Sequence, residues 1–332
     1  MNINEKKYRS IVNRIGLTMI FFTVLFWLGS EAVSSASVAF GNVMTERSAY
    51  IASELLDSAF YLFAFMIPVA FFFAISRDIK DTVPMKSDLV LPPETPLLII
   101  AGISAVLIFA YLNQVLTGFI PRIASSENLS EIKPYMIVLN FISVAVVPAF
   151  CEEFLFRGMI LRNLLPYSGT VAVVGSAVMF GLMHQNLEQI IYTTAAGLVM
   201  GYIYYRTGSI WCTVLMHMIN NALSLFMSLL PTFTENAVFI AIVIDIAMIF
   251  CGILSFAALI VIYRKRKKAV ENLCKNGVYG ISLQPRTGYA EKKLTCGAAV
   301  RSFFTPSVII FIVLSVLYMI LRIFVAFSYA DL

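Results

Sequence analysis

Nine stretches of the chain are apolar for long enough to cross a bilayer, and polar intervals separate them. They fall at about 15–28 (extending toward Val43), 58–75, 97–120, 135–165, 168–184, 189–205, 209–230, 237–263 and 306–327. Each is near the roughly 20 residues that a helix needs to span hydrocarbon. None alternates apolar and polar residues as a barrel strand would. Helices are therefore predicted throughout, since lipid leaves the backbone few other ways to satisfy its polar groups. The predicted fold is all-α: a polytopic integral membrane helical bundle of about eight to nine transmembrane helices.

The polar intervals carry the organisation. Residues 1–14 hold Lys6, Lys7, Arg9 and Arg14 ahead of the first apolar segment. Small residues at 34–39 would permit cleavage as a signal peptide, but the apolar core is longer than most such signals, so a retained anchor helix is expected. A Pro-containing linker fills 76–96, and 264–301 is long, polar and basic. Three sections result: N-terminal helices at 1–133, a core at 134–230, and C-terminal helices at 231–332 interrupted by the basic loop 264–301.

Orientation follows from the basic residues. With the N-terminus in the cytoplasm and the spans alternating, 20 of the 24 Lys and Arg fall inside. They are the four at the N-terminus, Arg77, Lys80, Lys86, Arg157, Arg162, Arg206 and ten within 264–301. Arg47, Arg122 and Lys133 fall outside, and Arg322 lies in the last span. Such a bias places the N-terminus and the 264–301 loop in the cytoplasm. The run Arg264-Lys265-Arg266-Lys267-Lys268 reads as the stop signal that orients its helix, in preference to a patch for anionic lipid.

Composition agrees with a membrane location. The chain is 60% hydrophobic and 13% charged, with mean hydropathy +0.86, where a soluble domain is about half apolar and a quarter charged. The lipid bilayer is the first expected partner. The five cysteines, three of them in apolar spans, give neither a disulfide framework nor a Cys-x-x-Cys metal pattern. Loop orientation accounts for the formal net charge of +5, and no nucleic-acid partner is needed to explain it.

Against this background the stretch 151–162, Cys-Glu-Glu-Phe-Leu-Phe-Arg-Gly-Met-Ile-Leu-Arg, is anomalous. Glu152 and Glu153 continue an apolar run, where each charge costs about 3 kcal/mol on the mildest scale. Arg157 follows Glu153 at i,i+4, on the same face and in the favourable order. The only two histidines, His184 and His217, also lie in apolar spans. Phe180 and His184 are i,i+4, as are His217 and Asn221, with Asn220 alongside. The fourth and fifth spans turn near Pro166 and Tyr167. Glu152 then lies about 21 Å from the turn and His184 about 26 Å, at 1.5 Å per residue. Counted from the same side, His217 and Asn221 lie about 12 and 18 Å deep. Three helices are thus predicted to build one buried polar site.

Two chemistries suit that set. In one, a desolvated Glu acts as general base on water, one histidine shares the water, and the other histidine and the Asn amide donate to an oxyanion. In the other, His184, His217 and a carboxylate, Glu152, ligate zinc while a second Glu is the base; the His-Glu-x-x-His signature for this is missing. Two further classes stay open. One is a proton-coupled transporter relaying through the same groups, for which no internal repeat is visible. The other is a catalytically silent scaffold or immunity protein whose polar residues bond helices together.

The three motifs, Glu152-Glu153-x-x-x-Arg157, Phe180-x-x-x-His184 and His217-x-x-x-Asn221, resemble those of the CAAX-protease and bacteriocin-processing family of intramembrane proteases. The stretch Arg206-Thr207-Gly208-Ser209-Ile210-Trp211 resembles it too. The likeness covers about 134–230, and each motif gains its specificity from standing in order with the others. The resemblance implies an all-helical membrane endopeptidase acting on a membrane-associated peptide or protein. By position it implies Glu152 as the base, His184 sharing the nucleophilic water, His217 and Asn221 as the oxyanion pair, and Glu153 and Arg157 as supporting residues. No cofactor is expected, with zinc as the alternative; Asn at i+4 from His217, where a second ligand would stand, favours the metal-free form.

Other polar residues have plainer readings. Asp245 and Arg322 are lone charges in the last two spans, able to pair or to face a cavity. Gly197 and Gly201 form a small-xxx-small step for close helix packing. Asn113 and Gln114 either line a cavity or end the third span. Cys151 adjoins Glu152 without a neighbouring histidine and is not expected to be a nucleophile. The predicted orientation has a direct check. In intact cells an impermeant thiol reagent should leave Cys274 and Cys296 unlabelled from outside and label them only after the membrane is opened.

Overall fold

The computed structural model describes residues 3–79, 91–118, 132–275 and 294–330. Within them all regular structure is helical, in ten helices: α1 (Ile3–Val43), α2 (Glu46–Ile75), α3 (Thr95–Thr117), α4 (Pro134–Leu164), α5 (Gly169–Met183), α6 (Leu187–Thr207), α7 (Ile210–Phe233), α8 (Ala237–Lys275), α9 (Cys296–Phe303) and α10 (Pro306–Ala330). Seven of these, α1 to α4, α7, α8 and α10, are long and apolar enough to cross a membrane. The chain is an integral, multi-pass membrane protein.

Two predicted spans behave differently. α5 has 15 residues, about 22 Å of helix, short of the hydrocarbon thickness. α6 carries Glu188, Gln189, Arg206 and three threonines, which lower its hydropathy. These helices form a hairpin packed into the bundle. Gly197 makes that approach possible: a Cβ there would stand 2.9 Å from the Cα of Ala177, so the small-xxx-small step does serve close packing.

Helix ends follow local chemistry. Thr45 and Asn186 cap α2 and α6 through side-chain oxygens that accept from Ser48 N and Glu188 N. Gly208 ends α6 in the left-handed region at φ 68°, and its N–H bonds to the carbonyl of Tyr204 at 2.8 Å. α1 starts earlier than its apolar run, because Tyr8, Ile11, Val12, Ile15 and Met19 form a buried stripe at helical spacing. The Tyr8 ring lies 5.2 Å from that of Tyr167. Arg14 then bonds Asp78 just beyond α2, with Nη2 2.7 Å from Oδ2, and holds the Asp78 carboxyl below the usual carboxylate range.

α4 is the axis of the bundle. Its first half is mostly half-buried or exposed, whereas every residue from Cys151 to Leu164 except Phe154 is buried. π-helical segments at Phe141–Val146 and Phe154–Leu161 bracket the α-helical Val147–Glu153. Pro148 brings no N–H to the ladder at this point, and a π segment re-phases the helix that follows it, a feature frequent at functional sites.

Several charged residues sit other than where the loop pattern put them. Arg157 and Arg162 are buried, so they are not loop charges, and the orientation bias rests on the other segments. Of the two readings open for Asp245, pairing with Arg322 or facing a cavity, the structure shows the second: Asp245 lines a cavity and accepts a hydrogen bond from Tyr111. α8 continues helically through the basic run 264–268. Arg266 there grips Glu94 at the start of α3, with bonds of 2.7 and 3.1 Å. Lys80, Lys86, Arg122 and the linker reading of 276–293 lie outside the described residues.

Candidate active site

The bracketed segment of α4 presents two adjacent carboxylates, and helical geometry turns neighbouring residues about 100° apart. Glu153 is fully buried. Its Oε1 accepts from Arg157 Nη1 at 2.8 Å and from His217 Nδ1 at 3.0 Å. Arg157 also donates to the carbonyl of Gly197 at 3.3 Å and lies 4.9 Å over the Phe180 ring. The ion pair is thus held from α4, α5, α6 and α7 together. A carboxylate and a guanidinium buried this deeply are tolerable only as a hydrogen-bonded pair.

Glu152 turns the other way. Its Oε1 accepts from the Tyr61 hydroxyl of α2. Its Oε2 is buried, 3.8 Å from His217 Nε2, with no hydrogen-bond partner among the described residues. His217 therefore stands between the two carboxylates, with one ring nitrogen facing each. Because Glu153 Oε1 already accepts from Arg157, it is an ionised acceptor, so His217 Nδ1 carries a proton.

His184 caps the C-terminal end of α5. Its Nδ1 is 2.8 Å from the carbonyl oxygen of Phe180. A carbonyl only accepts, so this nitrogen is the protonated one, and Nε2 is the nitrogen left outside that bond. Phe180 packs edge-on to both imidazoles, at 5.0 Å from His184 and 6.0 Å from His217. One aromatic wedge spaces the two histidines.

Glu152, His184, His217 and Asn221 all line one cavity of about 230 Å³. The depth estimated from the α4–α5 turn therefore brings Glu152 and His184 together, and α7 reaches the same space. Asn221 is placed with a partner the sequence did not indicate. Its Nδ2 donates to the carbonyl of Val144 at 3.1 Å; Pro148, four residues on, lacks the N–H an α-helix would offer that oxygen. One of the two amide hydrogens of Asn221 is thereby committed and the other is uncommitted. Asn220 Nδ2 approaches Asn221 Oδ1 at 3.4 Å.

Three residues around the site escaped the sequence reading. Tyr61 is one aromatic among many in an apolar helix. Gln185 follows His184 with φ 49°, in the left-handed region that costs a non-glycine residue about 1–3 kcal/mol. Its side chain is buried and its Oε1 accepts from Trp27 Nε1 of α1 at 2.6 Å. The Trp27 ring in turn stacks on Tyr318 of α10 at 4.9 Å. The positive φ comes directly after α5 ends at His184, whose ring is held by the carbonyl of Phe180. No local pattern marks Trp27 or Tyr61, since both act across long sequence separations. Asn113, which the sequence left between two readings, lines a cavity and bonds the first turn of α6 through Glu188 O and Ile191 N.

The alternative zinc ligands Glu152, His184 and His217 do not fit a metal as they stand. Among the described residues no three His, Cys, Asp or Glu side chains converge closely enough to hold one, and a structural or catalytic zinc needs at least that many protein ligands.

Residues 134–223 match the family model described as Type II CAAX prenyl endopeptidase Rce1-like. That segment contains both glutamates, Arg157, both histidines and Asn221. A Bacillus subtilis (strain 168) protein named "Putative membrane peptidase YdiL" is 30% identical over 99 residues, which is 30% of this chain and 39% of that protein. The chain thus matches well under half of that relative's length. No solved structure matches.

The Trp27–Gln185 bond predicts an observable at His184. Trp27→Phe keeps the stacked ring and removes the indole N–H, at a cost of about 1 kcal/mol for the lost hydrogen bond. With only two histidines to assign, 15N-histidine NMR should show His184 moving from the Nδ1–H tautomer toward averaged shifts, while His217 stays unchanged.

Proposed function

We propose that this chain, whose residues 134–223 match the Type II CAAX prenyl endopeptidase Rce1-like family model, is a membrane-embedded endopeptidase that cuts a membrane-associated peptide or protein. The observation that carries this reading is Glu152. One carboxylate oxygen is held by Tyr61, and the other is buried without a hydrogen bond in the cavity lined by His184, His217 and Asn221. A carboxylate so placed is a general base held ready for a water.

The reaction then proceeds in two proton transfers. A water donates one hydrogen to Glu152 Oε2 and the other to His184 Nε2. As its oxygen attacks the peptide carbonyl carbon, Glu152 takes the proton and the carbonyl π electrons move to oxygen. The uncommitted Asn221 N–H and a proton on His217 Nε2 face that oxyanion. Collapse of the intermediate breaks the C–N bond, and Glu152 returns its proton to the leaving nitrogen. Arg157 and Glu153 orient His217 throughout.

Glu152→Gln preserves shape and removes the base, and should nearly abolish turnover of a membrane-embedded peptide with the folded yield unchanged by size exclusion. Asn221→Ala should cost a factor of about 100 to 1,000, as for loss of an oxyanion donor. Glu152→Gln with His184→Ala should cost little more than either alone, since residues acting as a unit are non-additive. Near-wild-type turnover by Glu152→Gln, followed by mass spectrometry of products, would move the assignment to a scaffold.

The reading is also metal-free. Turnover should survive exhaustive chelation. Stoichiometric zinc, with activity lost on its removal and regained on its return, would overturn that part of the mechanism.

A further inference from the structure

Beside the site cavity lies a larger groove of about 660 Å³ between α3, α6, α7 and α8. The two share Val106, Tyr192, Asn220 and Ser224 as lining, so they adjoin along one wall. The smaller cavity, on the other side of that wall, holds a buried polar atom without a hydrogen-bond partner, Glu152 Oε2. The groove walls combine apolar side chains, such as Ile103, Leu107, Leu223 and Met227, with uncharged polar ones, such as Gln114 and Thr117. The charged groups among them are two carboxylates, Glu188 and Asp245, and no lysine or arginine is among the described residues lining the groove.

The two acids differ in what explains them. Glu188 stands in the first turn of α6, where a helix N-terminus favours an acid. Asp245 has no such local reason. It lies mid-helix among exposed apolar neighbours, Ile242, Val243 and Ile246, where a carboxylate is costly. The Tyr111 hydroxyl gives it a hydrogen bond but no countercharge. The basic run of α8 begins 19 residues further on at Arg264, about 29 Å away along the helix.

We propose that this groove is a substrate subsite for a cationic side chain. A peptide lies with apolar residues between α3 and α7 and sets a lysine or arginine against Asp245 and Glu188. Its chain passes the shared wall at Tyr192 and Asn220 to bring the scissile bond to Glu152. Low surrounding dielectric strengthens the attraction of the two acids for a cation and makes a neutral or acidic side chain a poor substitute. The subsite rests on the peptidase reading for the reaction that follows, but its binding step does not.

The test separates binding from turnover by using the purified Glu152→Gln protein. The probes are a fluorescent leucine–alanine peptide with one lysine and the same peptide with norleucine in its place. The lysine peptide should bind about tenfold more tightly, and added salt should weaken that preference. Asp245→Asn, which keeps the side-chain shape beside Tyr111, should bring the two peptides to within about twofold. If Asp245→Asn does not fold, Glu188→Gln and the salt dependence carry the test. Equal binding of the two peptides would make the groove a lipid-filled cleft and overturn the subsite, as would a preference that survives both substitutions or ignores salt. A lysine preference in binding, with neither peptide cleaved by the wild-type protein, would sink the peptidase reading and leave the subsite standing.

Discussion

A histidine held between two adjacent carboxylates organises the centre of this protein. His217 touches Glu153 through Nδ1 and faces Glu152 through Nε2, and Arg157 closes the ionic group. So much charge inside an apolar bundle is stable only if every member is paired or has work to do. The surrounding structure meets that demand. The buried half of α4 carries three of the four groups, α7 brings the histidine, and Phe180 of α5 covers the guanidinium. The close approach at Gly197 lets a backbone carbonyl of α6 reach Arg157.

The helices around this centre are more than a lipid-facing shell. α2 supplies Tyr61 to Glu152, α1 supplies Trp27 to the residue after His184, and α3 supplies Asn113 to the start of α6. None of these three lies in the segment that matches the family model. The polar centre and its geometry therefore come from different parts of the chain. The strained backbone at Gln185 illustrates this. It is a cost incurred beside a site residue and offset by an indole on another helix.

The same division is seen in the cavities. The smaller is built mostly on the matched segment, and the larger draws also on α3 and α8; both have mixed linings, and the larger holds two acids, Glu188 and Asp245. The chemistry of a site and its choice of ligand need not reside in the same helices. The groups proposed for the first stand on α4, α5 and α7, and the subsite proposed for the second rests on Glu188 of α6 and Asp245 of α8.

The sequence by itself determined the helical bundle, seven of its nine predicted spans and the set of polar residues at its centre. Lipid makes each buried charge conspicuous, and the i,i+4 spacings of Glu153 with Arg157 and His217 with Asn221 are local, so one dimension suffices to see them. Even the shared depth of Glu152 and His184 follows from counting residues from a turn. Only the tertiary structure decided which oxygen of Glu152 is bonded, that Asn221 serves the carbonyl of Val144, and that Arg157 and Arg162 are buried. It also decided that α5 and α6 pack as a hairpin within the bundle. These depend on helix rotation, tilt and the π segments of α4, which set which side chains meet across many residues of separation. Tyr61, Trp27 and Asp245 look in sequence like any tyrosine, tryptophan or stray acid in an apolar helix, because a long-range partner leaves no periodicity to read.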